Sequence, residues 1–467
     1  MNPNFEENGA TVKKKKKRIF DSSLFTLEDN FGKLNLFKLA IPQFLDLFLI
    51  NFLSIISTIV INRISSGSAV AVDGAGKVFN IITSVTMLVN TGTSIMLSIY
   101  MGKNNGIAVK KLCFINLVLT TIICLTLSLT LFIFPKQIYS LIHLNGQKLE
   151  QAVKYTRIRC LFLTVSCLGT CLNTIMRCYG DSKPTFFSGI GSALISTVLN
   201  VLAISEYSPI KDKIVGVAVA SVIGGITSFT IALIFFIVKK IKIIPKFQAK
   251  LVKQLFKVGL PGGISSISYQ FSQLLTTSFV LMLSDLQQNA KIYVTSLVFI
   301  IYQFGYSIGN ADAIMVGRHC GSGNVEKADK MHKQNILIGL FSNFTLSILF
   351  LAFYRILFRI YTTDNETLNL IRIILVIDCF VEMGRALNHL GEFSLNGVGD
   401  VYATTIISMS SCWLVSVLFA YVLGIKCNLG LIGIWLAFAL DEITRGLLYL
   451  FRWRSGKWKK KFLENKI

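Results

Sequence analysis

Twelve long, mostly apolar stretches, each set off by turn residues or basic clusters, govern what this chain can fold into. A helix needs roughly 20 apolar residues to cross a bilayer, and with short loops a chain this long has room for about twelve crossings, which is what these runs supply. They predict helices at 35–62, 69–101, 111–134, 153–178, 185–205 and 214–238, then at 256–283, 290–317, 334–354, 367–394, 401–424 and 430–451. Composition agrees: of 467 residues, 53% are hydrophobic and only 15% charged. Soluble proteins carry about a quarter charged residues, so an ordinary soluble enzyme is excluded.

The net charge of +23, from 47 basic and 24 acidic side chains, sits in short clusters beside the apolar runs. That placement marks membrane-surface anchors facing a lipid bilayer and argues against a nucleic-acid partner. With both termini in the cytoplasm, roughly thirty Lys and Arg fall on the cytoplasmic side and about ten outside, as the positive-inside rule requires of a multi-pass protein in the plasma or inner membrane. The expected organisation is a basic cytoplasmic tail (1–34), a first lobe (35–238), a cytoplasmic linker (239–255), a second lobe (256–451) and a basic cytoplasmic tail (452–467). The first tail carries the run Lys13 to Lys17 and Arg18 without a following apolar stretch and cleavage site, so a cleaved signal peptide is not expected.

The two halves echo each other. LFKLAIP (Leu36 to Pro42) returns as LFKVGLP (Leu255 to Pro261), Gly102-Lys103 as Gly317-Arg318, Gly180-Asp181 as Gly399-Asp400, and GVAVAS at Gly216 as GIWLAF at Gly433, all at one nearly constant offset. Six crossings separate the copies, an even number, so both keep one orientation. The fold class expected is therefore an all-α polytopic membrane protein, twelve transmembrane helices in two six-helix lobes related by a pseudo-twofold axis along the membrane normal. Substrate sites in such repeats lie between the copies.

Polar residues within the spans carry the functional signal, because an Asp, Lys or Arg at the bilayer centre costs roughly 2.5–3.5 kcal/mol and must face protein or water. Asp73, Lys77, Asn80, Ser84, Met87, Thr91 and Ser94 follow steps of four and three, which puts them on one helix face. Tyr269 and Ser272 in the seventh span, Gln303, Ser307 and Asn310 in the eighth, and Asn388 in the tenth join them as candidates to line a cavity. The other reading is that small polar residues bond neighbouring helices together. In the tenth span Asp378, Glu382 and Arg385, with His389 and Glu392, share a face. They form either a neutralised pair that tolerates burial or a site that holds and releases a proton or Na+. Asp46, four residues after Pro42, is a further coupling candidate beside a freed carbonyl, or a simple interfacial acid. Glu442 and Arg445, next to Asp441, read as a structural ion pair.

No catalytic residue and no metal site is expected. The ten cysteines lie mostly in apolar runs, and the four histidines (His143, His319, His332 and His389) are scattered. GAGK at Gly74 lacks the upstream glycine of a nucleotide-binding loop, and no hydrolase or paired-histidine motif occurs, so no cofactor is implied beyond a coupling ion, Na+ or H+.

From about residue 33 to 460 the chain resembles the multidrug and toxic compound extrusion (MATE) family of secondary transporters. The resemblance is carried by LAIP at Leu39, SIYMGKNNG at Ser98, MRCYGDSKPT at Met176, VGLPGG at Val258 and MVGRHCGSGNVEKA at Met315. It is carried further by GRALN at Gly384, NGVGD at Asn396, GIWLAFALDEITRG at Gly433 and RWRSGKW at Arg452. It implies two lobes around a cavity open alternately to each side, and export of organic, often cationic or amphipathic, small molecules against Na+ or H+. A monomer is expected. The family's coupling acids are absent: Ser57 stands where an Asp is usual in the first span, Ser196 and Asn200 replace the fifth-span pair, and Ser268 to Gln270 hold no acid. Coupling is therefore expected at Asp46 or at the Asp378, Glu382 and Arg385 cluster. A lipid-linked precursor flippase and, more remotely, a membrane enzyme acting on lipid are the rival expectations.

Overall fold

The computed structural model of the chain describes residues 22–62, 66–141, 146–205 and 208–464. The run Lys13 to Lys17, Arg18 and His143 lie outside them. A one-turn 3-10 helix (Ser22–Phe25) leads into an antiparallel hairpin of β1 (Thr26–Asp29) and β2 (Gly32–Asn35), with Thr26 opposite Asn35. The first half then runs through α1 (Leu36–Asn62), α2 (Ser66–Gly102), α3 (Gly106–Ile133), the short α4 (Pro135–Leu141), α5 (Gly146–Cys178), α6 (Lys183–Ile204) and α7 (Lys213–Val238). The second half comprises α8 (Ala249–Leu281), α9 (Asp285–Gly321), α10 (Val325–Ala352), the short α11 (Tyr354–Phe358), α12 (Asn365–Gly397), α13 (Val401–Ser411), α14 (Gly430–Arg454) and α15 (Lys457–Glu464). Beyond Ser411, α13 continues through two π-helical stretches, Cys412–Val417 and Ala420–Lys426.

All twelve expected spans are present, and several are longer than hydropathy indicates. α5 begins at Gly146 rather than 153, α8 at Ala249 rather than 256 and α10 at Val325 rather than 334. Their first turns are polar, so apolarity fades there while the local hydrogen-bond ladder of a helix continues. By length and composition, nine of the described helices can cross a membrane. The three other long ones, α8, α12 and α14, are more polar, and α12 and α14 keep charged side chains buried against each other. The described part of the segment expected as a basic tail, 22–34, is folded. Leu27 and Leu34 face each other across the hairpin and are buried, so this segment packs onto the helices.

The halves meet at one end, where α2, α5 and α9 finish and α1 and α8 begin. α1 packs on α9, and α2 packs on both α8 and α9. Close approach there demands glycine: a Cβ on Gly102 would lie 2.2 Å from the Arg318 carbonyl oxygen, and one on Gly321 2.2 Å from that of Ile99. Toward the start of α2 the contact lapses, and Asn80, Ile81 and Met87 are exposed. The repeats thus close at one end and part toward the other.

Arg318, a repeat landmark in the sequence, is the central tie of the closed end. Its side chain is fully buried; it is ion-paired with Asp29 of β1, donates to the Cys178 carbonyl at the end of α5, and lies 3.1 Å from the Met101 sulfur. One guanidinium therefore joins the hairpin and the first half to α9. Breaking a buried ion pair by removing one partner costs about 3–5 kcal/mol. Arg318→Ala is expected to lower the melting temperature in detergent clearly, with Arg318→Lys in between; an unchanged melting curve for Arg318→Ala would refute the tie.

Candidate functional site

The site grows from the packing of α12 on α14. Gly384 makes it possible: a Cβ there would sit 2.6 Å from the Ile443 nitrogen, and one on Gly446 3.0 Å from the Gly384 carbonyl oxygen. With the backbones this close, Arg385 reaches across. It is ion-paired with Glu382 one turn back on α12, and its Nε lies 3.4 Å from the Glu442 carboxylate on α14. Arg445 answers from α14, 2.6 Å from Asp441 and 3.2 Å from Glu442. Asn388 donates to Glu442 at 2.6 Å, Ser411 to Asp441 at 2.7 Å, and Asn343 of α10 to Glu382 at 3.3 Å. Trp435 donates its indole N–H to Asp378 at 3.0 Å.

Four carboxylates (Asp378, Glu382, Asp441 and Glu442) thus share two guanidiniums (Arg385 and Arg445), and all six side chains are largely buried. The Lys291 ammonium, on the wall of the cavity beside the network, brings the cations to three, so one acid is left over. A buried charge without a counter-ion is too costly to persist, so that excess must be met by a proton or a bound cation. A cavity of about 330 Å³ opens on this network among α8, α9, α12 and α14. Asp378, Arg385, Asp441, Glu442 and Arg445 line it, with Tyr269, Gln273, Lys291, Thr295, Tyr302 and Trp435. The Arg385 guanidinium lies 5.2 Å from the Tyr302 ring centre and that of Arg445 5.7 Å from the ring centre of Tyr269, so aromatic faces cover both cations.

The structure joins some of the expected residues and separates others. Asp378, Glu382, Arg385, Tyr269 and Asn388 come together at the network. Asp441, Glu442 and Arg445, read from sequence as a separate pair, belong to the same constellation. Ser272 is buried and accepts from Cys412 at 2.8 Å. Gln303 and Ser307 are buried on α9, where Ser307 donates to the Gln303 carbonyl at 2.8 Å, and Asn310 is half-buried. None of these four lines the cavity. On α2, Lys77, Asn80, Met87 and Thr91 are exposed, Ser84 spends its hydroxyl on the Asn80 carbonyl of its own helix, and the side chain of Asp73 lies outside the described residues. Asp46 is buried in the first half, with one carboxylate oxygen pressed on Gly189 of α6, where a Cβ would lie 1.6 Å from it. The carbonyl freed by Pro42 is that of Lys38, about 12 Å along the helix from Asp46, so the two do not form one site.

Sequence reasoning missed Gln273, Lys291, Thr295, Tyr302 and Trp435. A signal for α14 existed: Trp435, Phe438, Glu442 and Arg445 repeat at steps of three and four and fall on one face.

Fold and site together define a polytopic membrane transporter with a charged pocket inside its second lobe. The MatE family model matches residues 42–202 and 261–422, one copy in each half, and the chain belongs to this family, whose members are transporters rather than enzymes. Among similar proteins, the uncharacterized transporter YisQ of Bacillus subtilis is 24% identical, with 91% of this chain and 95% of that protein covered. A probable multidrug resistance protein NorM of Thermotoga maritima is also 24% identical, over 91% and 93%. A solved structure described as the outward-facing conformation of a multidrug resistance MATE family transporter of the MOP superfamily shares the fold with a TM-score of 0.82 and 16% identity, covering 91% of this chain and 95% of that one. A MOP superfamily transporter from Pyrococcus furiosus, described as having a binding pocket of reverse polarity, matches with the same TM-score at 17% identity and the same coverage.

The α12–α14 approach is directly testable. Gly384→Val forces carbon into backbone atoms and is expected to cost about 1–3 kcal/mol, seen as earlier thermal unfolding, while Gly384→Ala costs less. A valine variant as stable as the parent would show that the two helices are not held this closely.

Proposed function

We propose that this protein is a secondary antiporter that exports organic, often cationic or amphipathic, small molecules in exchange for Na+ or H+, by alternating access between its two lobes. It works as a monomer in the plasma or inner membrane with both termini in the cytoplasm. The observation that carries the reading is a buried network on a cavity wall in which four carboxylates face two guanidiniums and the Lys291 ammonium, an excess of one acid. Such a network attracts cations of either kind, an organic cation or a coupling ion, and makes their binding mutually exclusive by charge, which is the requirement of exchange. The names of the relatives support drug export, and the parting of the halves away from the Arg318 end supports a rearrangement of lobes. No ATP-binding element is needed, because about 100 mV of membrane potential supplies roughly 2.3 kcal/mol per charge moved.

Glu382 is the coupling acid we favour. It is tied to Arg385 on its own helix and to Asn343, at the α10 side of the network, and it can exchange a cation without dismantling the Asp441–Arg445 pair. Asp46 is an independent second candidate. A phosphate-directed flippase needs cationic groups in excess in the cavity, and here Arg385 and Arg445 are both engaged by carboxylates and Lys291 is outnumbered by the network's four acids.

The test is transport of a fluorescent cationic dye in proteoliposomes under separate H+ and Na+ gradients. Dye export driven by one of the two gradients is expected. Glu382→Gln should abolish the gradient dependence and cut transport about tenfold or more, whereas Asp46→Asn does so only if coupling resides in the first lobe. Unaltered ion dependence in Glu382→Gln would remove Glu382, and no dye movement with folded wild-type protein would overturn the antiporter reading.

A further inference from the structure

A second cavity, of about 360 Å³, lies at the closed end and shares no lining residue with the cavity on the charged network. Its walls come from both halves. The end of α2 and the start of α3 supply Tyr100, Lys103 and Lys111; the segment entering α8 supplies Gln248, Lys250 and Gln254. Lys111 donates to the Gln248 side-chain oxygen at 3.3 Å, and the Tyr100 hydroxyl to that of Gln254 at 3.3 Å, so two cross-half contacts shape the walls. The Lys103 ammonium stands 5.9 Å from the Tyr100 ring centre.

Three ammonium groups therefore share one small cavity, and none of the described residues that line it is acidic. Two helices also begin there. Ile107 and Ala108 lie in the first turn of α3, and Lys250 and Leu251 in the first turn of α8, all on the cavity wall. The start of α3 is already capped, since the Asn105 side chain accepts from the Ala108 N–H at 3.1 Å, but each helix start still leaves a partial positive charge beside the cavity. Three ammonium groups gathered on one wall repel one another, and an anion relieves that repulsion.

We propose that this cavity binds a phosphate-bearing anion, and that the bound phosphate bridges α2–α3 of the first half to α8 of the second. Ammonium groups and helix starts are the donor set that phosphate oxygens accept from. Two sources share that chemistry: the headgroup of an anionic phospholipid and a soluble phosphate compound. The cavity sits where helices that cross the membrane end, and beside it Ile107 and Phe247 are exposed apolar side chains at 62% and 54%. Those side chains suit the acyl chains that a headgroup brings with it. An ion pair of this kind would hold the halves together at the end that Arg318 already closes, without using any residue of the transport network.

The experiment uses the full chain in nanodiscs of phosphatidylcholine doped with phosphatidylglycerol, with bound lipid counted by native mass spectrometry after release into detergent. Wild-type protein is expected to retain phosphatidylglycerol selectively. The triple variant Lys103→Gln, Lys111→Gln and Lys250→Gln should retain about tenfold less. A charge-matched control at the same end, Lys327→Gln, Lys330→Gln and Lys457→Gln, should retain it as wild type does. If millimolar inorganic phosphate instead raises the melting temperature of the lipid-free wild type and not of the triple variant, the site stands and its ligand is a soluble phosphate. Equal lipid retention by both triple variants, with phosphate without effect on either, overturns the proposal. Should the triple variant fail to fold, the single changes Lys103→Gln and Lys250→Gln at exposed positions must each lower retention; wild-type retention in both singles overturns it equally.

Discussion

Two guanidiniums set between α12 and α14 organise the second lobe. Arg385 and Arg445 could not be buried in an apolar bundle without carboxylates beside them, and the carboxylates that serve them come from both helices. The pairing therefore fixes the separation and register of the two helices as firmly as their apolar contacts do. It also forces small residues at the contact, since a guanidinium spanning from one helix to a carboxylate on the other needs backbones nearly touching, and Gly384 and Gly446 provide that. Surplus acid is the second consequence. An evenly matched network would be a structural plug, whereas one with a carboxylate in excess has a charge state that depends on what it binds.

The two lobes share a chain path and differ in chemistry. In the first, buried polar groups are mostly neutral: Asn116 donates to Asn90 at 3.2 Å, Asn173 to Ser188 at 2.7 Å, and Ser128 to the Cys160 carbonyl at 2.6 Å. Such bonds join helices and hold no net charge. In the second lobe, positions on α12 and α14 carry full charges, and Asp312 on α9 is held by Asn335 and Ser394 at 2.6 Å each with His332 beside it. A repeat constrains where backbones run and where glycines allow contact; it does not constrain what the inward side chains carry. Coupling chemistry can therefore reside in one copy while the other serves as scaffold.

That distinction explains what could be read from sequence. The spans, the repeat and the polar face of α12 are local patterns, governed by hydropathy over one helix, and they stand in the structure. The joining of the α12 cluster to Asp441, Glu442 and Arg445 depends on which helices become neighbours, and nothing along a single helix specifies that. Arg318 was visible only as a landmark, because its partners Asp29 and Cys178 are distant in sequence. The short helices α4 and α11, the hairpin and the π-helical stretches of α13 escaped for another reason. They are set by turn geometry and by a widened helical ladder, to which hydropathy is blind.

Under the proposed alternating access the end that Arg318 closes must also open, and the chemistry of that seam bears on the cost. Separating an apolar interface loses about 25 cal/mol for every Å² exposed, and water returns nothing for it. A seam held by a guanidinium, a carboxylate and a backbone carbonyl is different, because each group regains strong hydration when water enters. The intact pair resists partial disruption, since removing one partner strands the other, yet complete solvation of both is well compensated. Glycine contacts at Gly102 and Gly321 add close packing with little apolar area. Apolar side chains also cross the seam, Leu39 and Ala40 of α1 against α9 and Ile95 and Ile99 of α2 against Val258 of α8. The polar tie therefore lowers the cost of opening only for its own share of the contact, and the proposed alternating access would have to meet the rest in full.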